Sequence, residues 1–204
     1  MEPKIFLFPL NNSILFRKIT LPYHIFEPRY KQMVHDAIST HTPIAVLPSG
    51  VTENYKGDIC VGGIPHVLNS YPDGRMDIFI TGNIKCRLSE FQDENPYKIY
   101  SYEPLLEVSD LRDDFVSELE SLREFLAKWS LKFLPDASQR HAFTQTLSDN
   151  ETLISYSALF LLEDMDVKKE IVETKELSRK VEILMKVLGP KEISLGPYLQ
   201  KLKF

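Results

Sequence analysis

Glycine and proline are concentrated in the first half of this 204-residue chain. Six of the eight glycines and ten of the 13 prolines precede residue 108, and no glycine lies between Asn83 and Leu188. Because both residues interrupt helices and mark turns, this distribution predicts short strands in front and long helices behind. We therefore predict an α+β chain with two domains, residues 1–107 and residues 108–204.

The first half contains short apolar runs that are typical of strands. A turn is predicted at Tyr71–Gly74, where proline, aspartate and glycine follow one another. One helix is predicted to begin at Pro28, because apolar residues then recur every three or four positions up to Ile38. Many short strands with one helix indicate a small, partly closed barrel. The predicted strands are Lys4–Leu10, Ile14–Phe16, Ile19–Leu21, Pro43–Pro48, Ile59–Leu68, Met76–Ile80, Ile84–Phe91 and Tyr97–Leu106.

The second half has the apolar spacing of amphipathic helices. A long stripe from Leu111 to Phe133 predicts the first helix, with Ser109 or Asp110 as its cap and Pro135 after its end. A capping box is predicted from Ser148 to Glu151. The remaining predictions are a cap at Asp166 for a helix to Glu173, a cap at Thr174 for a helix over Lys175–Leu188, a stop at Gly189, and an apolar tail over Lys191–Phe204. Together these segments predict a bundle of four or five helices.

Charge and hydropathy exclude several classes of protein. The net charge is −5, and it is spread as −2 over the first 107 residues and −3 over the rest. Nucleic-acid binding depends on basic surface that neutralises phosphates, so this balance argues against it. The longest apolar run, Ala158–Leu162, is far shorter than the roughly 20 residues that span a bilayer. The N-terminus lacks the features of a signal peptide, so we expect a cytoplasmic protein without membrane attachment.

No motif for catalysis, cofactor binding or metal binding is found. The sequence has no GxxxxGK[ST], GxGxxG, GxSxG or HExxH pattern, and His35 and His41 are poorly spaced for a metal. Carboxylates on the predicted helices and the pair Arg179–Lys180 are assigned to solvated surface. We therefore predict no catalytic, cofactor-binding or metal-binding residue, and a binding module rather than an enzyme.

The two cysteines, Cys60 and Cys86, do not form a CxxC pair. In a cytoplasmic chain, buried thiols are expected more often than a disulfide. We predict that both thiols are buried.

One segment, Leu21-Pro-Tyr-His-Ile-Phe-Glu-Pro-Arg-Tyr30, is unusually specific. Together with the further segments Ile5–Leu10, Val61–Ile64, Pro72–Arg75 and Gly82–Arg87, it resembles the N-terminal domain of the ATP-dependent protease Lon in its stand-alone form. The helical half, from Leu162 to Leu188, is similar to the last helices of that family. The resemblance therefore spans nearly the whole chain.

This resemblance implies a PUA-like β pseudo-barrel with one helix, followed by a C-terminal α-helical bundle. It also implies substrate recognition, because the N-terminal region of Lon is associated with that role. The sequence has no Walker A loop and no room for the ATPase and protease modules of full-length Lon. We therefore expect a non-enzymatic module, without cofactors, that binds unfolded or partner polypeptides.

Two interpretations of the specific segment stay open. In one, it fixes a corner between strand and helix, with Ile25 and Phe26 in the core and Tyr30 packed on it. In the other, aromatic and charged side chains form the rim of a peptide groove, since such residues are common interface anchors. The candidate partner-binding residues are Tyr23, His24, Glu27, Arg29 and Tyr30.

Two other functions are kept as alternatives. An RNA-binding PUA-like module would need a basic strip, for which Arg17–Lys18, Lys85 and Arg87 are the candidates. An enzyme of unrecognised type would need a pocket with titratable groups. The oligomeric state is left open, with a homodimer as one alternative.

Overall fold

A computed structural model describes residues 2–49, 54–94, 96–108 and 110–189 of the chain. The chain divides into two units, Met1–Leu106 and Glu107–Phe204. The predicted domains, residues 1–107 and 108–204, differ from this division by one residue. The predicted α+β class is confirmed, with strands and one helix in the first unit and helices in the second.

The strands in the described part of the first unit are β1 (Lys4–Leu10), β2 (Thr20–Ile25), β3 (Ile44–Pro48), β4 (Ile59–Gly63), β5 (Pro65–Ser70), β6 (Met76–Thr81), β7 (Ile84–Asp93) and β8 (Ile99–Pro104). Five of them close into a barrel in the order β1-β3-β4-β7-β8, and the other three form a sheet in the order β2-β6-β5. Strands β1 and β3 are parallel, and the other pairs are antiparallel.

Two strand predictions are wrong. The run Ile14–Phe16 is buried but forms no strand, and the predicted strand Ile59–Leu68 is two strands that break at Ile64. Strand β4 lies in the barrel, whereas β5 lies in the three-stranded sheet. The chain passes so close to Thr81 at this break that a Cβ on Gly63 would lie 1.9 Å from the Thr81 carbonyl oxygen. Glycine is therefore required at the crossing.

The barrel interior is filled by alternate side chains of its strands. Cys60 and Cys86 are buried there, as predicted. Tyr55 and Tyr100 are the largest side chains of this cluster, and the Tyr100 hydroxyl accepts a hydrogen bond of 3.2 Å from the backbone N–H of Tyr55. The other members of the cluster are Ile5, Leu7, Ala45, Leu47 and Leu88.

The one helix predicted in the first half, α1 (Pro28–Thr40), begins at Pro28 as expected. Proline suits this position because its missing N–H would have had no helical partner. The side chains of Tyr30, Met33, Val34 and Ala37 are buried as predicted, but Ile38, the last residue of the predicted apolar face, is 39% exposed. The helix ends at His41, whose φ of 54° is left-handed.

The described part of the second unit contains five α-helices after a short 3-10 turn at Asp113–Phe115. They are α2 (Val116–Phe133), α3 (Ala137–Thr146), α4 (Asn150–Leu161), α5 (Met165–Glu173) and α6 (Leu177–Leu188). Their core consists of leucines, isoleucines and valines, with Phe125 from α2 and Ala158 from α4. None of the helices in the described ranges is long and apolar enough to cross a membrane.

The predicted helix caps are off by a few positions. Asp149, not Ser148, caps α4 by accepting from the Thr152 N–H, and Asp164, not Asp166, caps α5. Helix α2 begins at Val116, so Asp110 does not cap it. The predicted cap Ser109 and the tail Lys191–Phe204 lie outside the described residues.

The predicted cap Thr174 belongs to the end of α5. Its N–H and its hydroxyl both donate to the Glu170 carbonyl. The chain then stays extended for two residues, because Glu176 forms a parallel bridge with Val108. Helix α6 therefore begins at Leu177 and ends at Leu188, and the predicted stop at Gly189 is confirmed by the φ of 64° at that residue.

Lys180 was predicted to lie on a helix surface, but it is buried at 5% exposure. Its Nζ lies 2.8 Å from Glu107 Oε2 and 4.0 Å from Glu151 Oε1. Ser178, on the same helix, donates to the Asp110 carbonyl and accepts from the Arg112 N–H. These contacts fix the first residues of the second unit along α6.

Candidate functional site

The first five residues of the specific segment, Leu21–Ile25, lie in β2 and are divided between the two faces of the three-stranded sheet. Side chains of a strand alternate, so Tyr23 and Ile25 of β2 point inward, whereas Pro22 and His24 are exposed on the other face. The five predicted residues therefore do not line one groove.

Tyr23 and Tyr30 pack against the same ring, that of Phe8. The ring centroids of Tyr23 and Phe8 are 5.8 Å apart, and those of Tyr30 and Phe8 are 4.7 Å apart, both edge to face. Such pairs stabilise a core beyond the area that they bury. The contacts of these two tyrosines are those of a strand-to-helix corner.

The hydroxyl of Tyr23 is buried, and it has no hydrogen bond of normal geometry within the described residues. Burial raises the pKa of Tyr23 to about 12, while the neighbouring Ser13 hydroxyl acts in the opposite direction. The phenol therefore stays neutral at physiological pH.

His24 lies on the exposed face and is held by Asp77 of β6. Its Nδ1 lies 2.6 Å from Asp77 Oδ1, while Asp77 Oδ2 accepts from the Tyr71 hydroxyl at 2.6 Å and from the Asn69 amide at 3.3 Å. The hydrogen bond from His24, followed by that from Tyr71, lowers the pKa of Asp77 to about 2. A carboxylate that is charged at physiological pH thus fixes two aromatic side chains.

The ring of Phe26 extends this cluster. Its centroid lies 6.2 Å from that of His24 in a stacked arrangement, and Tyr71 lies 6.0 Å from His24 on an edge. The corner interpretation places Phe26 in the core, but its side chain is 60% exposed, because it lies on the same outward side of the chain as Pro22 and His24. We call the surface of His24, Phe26 and Tyr71 the aromatic platform.

Glu27 and Arg29 form an ion pair at the start of α1. Arg29 Nη2 lies 2.9 Å from Glu27 Oε2, and the Arg29 guanidinium lies 4.6 Å from the centre of the Tyr30 ring. Glu27 is the residue before the helix, but its side chain makes no capping hydrogen bond. Its carboxylate instead fixes Arg29.

A cavity of about 260 Å³ lies beside Arg29. Tyr30 and Tyr97 contribute to its wall, and the Lys98 ammonium lies 3.2 Å from Glu94 within it. The Tyr97 hydroxyl donates to Asp36 at 2.6 Å, so it is already engaged. The walls can receive a small polar group next to Arg29.

A second group of aromatic side chains lies in the helical unit. The sequence alone did not identify this group as a candidate binding surface. Five rings contact one another between α2, α3 and α4, four of them through stacked pairs and Phe143 edge to face with Tyr156, and all five are only partly buried. The centroids of Trp129 and Phe160 are 4.5 Å apart. We call this group the bundle aromatic cluster; its members are Trp129, Phe133, Phe143, Tyr156 and Phe160.

The basic strip that RNA binding would need is incomplete. Lys85 is only 3% exposed, although its side chain lies on the face of β7 opposite to the core residues Cys86 and Leu88. It therefore cannot neutralise phosphates at the surface together with the exposed Arg87.

The sequence matches a family model described as the ATP-dependent protease La (LON) substrate-binding domain over residues 4–189. No curated protein sequence matches the chain.

Two solved structures share the fold. One is a Lon N-terminal domain protein from Xanthomonas campestris, with a TM-score of 0.66 and 17% identity over 90% of this chain and 97% of that chain. The other is the N-terminal domain of Mycobacterium avium complex Lon protease, with a TM-score of 0.67 and 12% identity over 90% of this chain and 96% of that one. With the family model matching residues 4–189, the chain belongs to the LON substrate-binding domain family.

Proposed function

We propose that this chain is a non-enzymatic module that binds polypeptide segments, unfolded ones above all, in the cytoplasm. The contact surface that we propose is the aromatic platform together with the neighbouring Glu27–Arg29 pair. Membership of a substrate-binding family supports the function, and the geometry of the platform supports the surface.

The observation that carries the proposal is the exposure of Phe26. A phenyl ring that is 60% exposed is stabilised only in part by its stack on His24. His24 is itself held by a charged Asp77, so the ring system is ordered before any partner arrives. Preorganised aromatic side chains favour binding because little conformational entropy remains to be lost.

Polypeptides fit this surface better than nucleic acids do. Around the platform, Asp73 is paired with Arg75, and Asp77 is occupied by its three donors, so no positive excess is available for phosphates. Aromatic rings with a nearby arginine suit apolar side chains and backbone carbonyls of an extended chain. In this proposal, Tyr23 and Tyr30 support the surface from beneath rather than contact the partner.

The test is a titration of the purified chain with an unfolded model polypeptide, the native form of the same polypeptide, and a structured RNA, at low and moderate salt. We expect binding to the unfolded form only, with little dependence on salt. Failure to bind the unfolded polypeptide would overturn the proposed function, and salt-sensitive RNA binding would replace it.

Substitutions test which surface of the chain binds the polypeptide. We expect Phe26→Ser to weaken polypeptide binding by about tenfold, as at an interface hot spot, with unchanged thermal stability. Leu106→Ser is the matched control, because Leu106 is 84% exposed in the same unit, distant in sequence from the platform. Phe133→Ser tests the bundle aromatic cluster. If only Phe133→Ser weakens binding, the function stands and the assignment to the platform is wrong.

A further inference from the structure

The two cysteines of the chain face each other inside the barrel. Cys60 of β4 and Cys86 of β7 are direct partners in the antiparallel register. Their sulfur atoms lie 3.8 Å apart, which is van der Waals contact. Both side chains are buried among the apolar residues of the barrel core. The polypeptide-binding surface does not use either thiol.

This placement matches the geometry of a disulfide. Residues directly opposite each other on antiparallel strands have Cα atoms about 4.5–5.5 Å apart. Disulfides join Cα atoms that are about 4.4–6.8 Å apart, with sulfurs at about 2.05 Å. Cys60 and Cys86 already point towards each other, so rotation of the two side chains brings the sulfurs to bonding distance without moving the strands.

We propose that Cys60 and Cys86 are a redox modification site that forms an intramolecular disulfide with a low-molecular-weight disulfide, such as oxidised glutathione, as the oxidant. One cysteine sulfur attacks the glutathione disulfide and releases one glutathione thiol. The second cysteine then attacks the mixed disulfide and releases the other. One disulfide bond breaks, one forms, and the two protons and two electrons of the protein thiols end on two glutathione molecules.

Exchange in the closed barrel is slow. The contact with the Cys86 thiol, followed by burial, raises the pKa of the Cys60 thiol well above its usual value. Only the thiolate attacks a disulfide, and the oxidant must reach a buried sulfur. Oxidation therefore takes place while the chain folds or when β4 and β7 transiently separate.

The disulfide would close a loop of the first unit that carries part of the proposed binding surface. The two cysteines are 26 positions apart, and the loop between them contains β5 and β6. Those strands and the turn between them carry Asp77 and Tyr71, which order the aromatic platform. Closing this loop restricts the unfolded chain and so stabilises the folded unit.

The test equilibrates the full chain with glutathione redox buffers, once under native conditions and once in urea, and measures the intramolecular disulfide by mass spectrometry after alkylation. We expect the equilibrium constant for oxidation to be about tenfold or more higher under native conditions than in urea. We also expect the oxidised protein to melt several degrees higher than the reduced one. Equal constants, a higher constant in urea, or mixed disulfides with glutathione alone would overturn the proposal.

Cys60→Ala and Cys86→Ala are the controls, since each leaves one thiol. We expect neither to form an intramolecular disulfide, and their melting temperatures should not depend on the redox buffer. If an alanine variant fails to fold, the comparison between native and urea conditions on the unsubstituted chain still decides the proposal.

Discussion

The Nδ1 atom of His24 lies 2.6 Å from the Oδ1 atom of Asp77, although 53 positions separate the two residues in sequence. Their strands, β2 and β6, are antiparallel, and the register places the two residues directly opposite each other. Opposed side chains of this kind are the unit by which a sheet is stabilised. This pair also orders the aromatic platform, so it links the stability of the sheet to the proposed binding surface.

The first prediction concerns this pair and pH. Hydrogen bonds, the one from His24 first, hold the pKa of Asp77 at about 2, below its ordinary value of 3.8. The folded-state pKa is the lower one, so the charged carboxylate stabilises the fold above about pH 4 and loses this effect as the pH falls towards 2. We expect the difference in unfolding free energy between the natural chain and Asp77→Asn to shrink across that window, as measured by urea unfolding.

The variant His24→Gln tests whether His24 causes the low pKa of Asp77. This variant removes the strongest donor to Asp77, so the pKa of Asp77 should rise towards its ordinary value. Titration of the Asp77 carboxyl carbon by NMR measures this shift directly. A pKa that stays near 2 in His24→Gln would show that His24 does not cause the depression.

The second prediction concerns Tyr23. Its hydroxyl is buried without a hydrogen bond of normal geometry in the described part of the chain, whereas its ring packs against Phe8. A buried polar group without a partner costs about 1 kcal/mol or more, so Tyr23→Phe should be neutral or stabilising by up to about 1 kcal/mol. Tyr23→Ala should destabilise by about 3 kcal/mol, because it removes the ring as well.

Two further measurements sharpen this prediction. Because the pKa of Tyr23 is raised to about 12 in the folded chain, the stability that this shift contributes is complete below about pH 10. It is lost as the pH rises towards 12. Tyr23→Phe should therefore lose less stability in that range than the natural chain. It should also bind an unfolded polypeptide normally. A marked loss of binding would return Tyr23 to the contact surface.

Local patterns in the sequence predict much of this fold. Pro28 marks the start of α1, and the turn at Tyr71–Gly74 joins β5 to β6, because proline and glycine restrict the backbone wherever they occur. The helix caps are less accurate. Asp149 lies beside Ser148, and Asp164 lies two positions before Asp166, so several neighbouring residues have a suitable side chain. Only the path of the preceding loop decides between them.

The candidate site was less predictable, because it depends on contacts between distant residues. Nothing near His24 in sequence indicates that Asp77 will fix it, and the exposure of Phe26 follows from a strand that extends to Ile25. The burial of Lys180 depends in the same way on Glu107, 73 positions away. A helical pattern alone assigns such a lysine to the surface.

The last prediction tests that buried lysine. The side chains of Lys180 and Glu107 are 6% and 10% exposed, so removing the ammonium leaves a carboxylate charge with little water around it. Breaking a buried pair on one side costs about 3–5 kcal/mol, and we expect Lys180→Ala to destabilise the second unit by that amount. Trp129 is the only tryptophan of the chain and lies in this unit, so its fluorescence follows the unfolding in urea.

Arg179→Ala is the matched control for Lys180→Ala. The ion pair between Arg179 and Glu182 is exposed, so its loss should cost less than about 1 kcal/mol. Lys180→Met combined with Glu107→Gln should recover only part of the loss, since it removes both charges of the closest pair but leaves the carboxylate of Glu151, which lies 4.0 Å from Lys180 Nζ in the natural chain. Equal effects of Lys180→Ala and Arg179→Ala would mean that water reaches the Lys180–Glu107 pair.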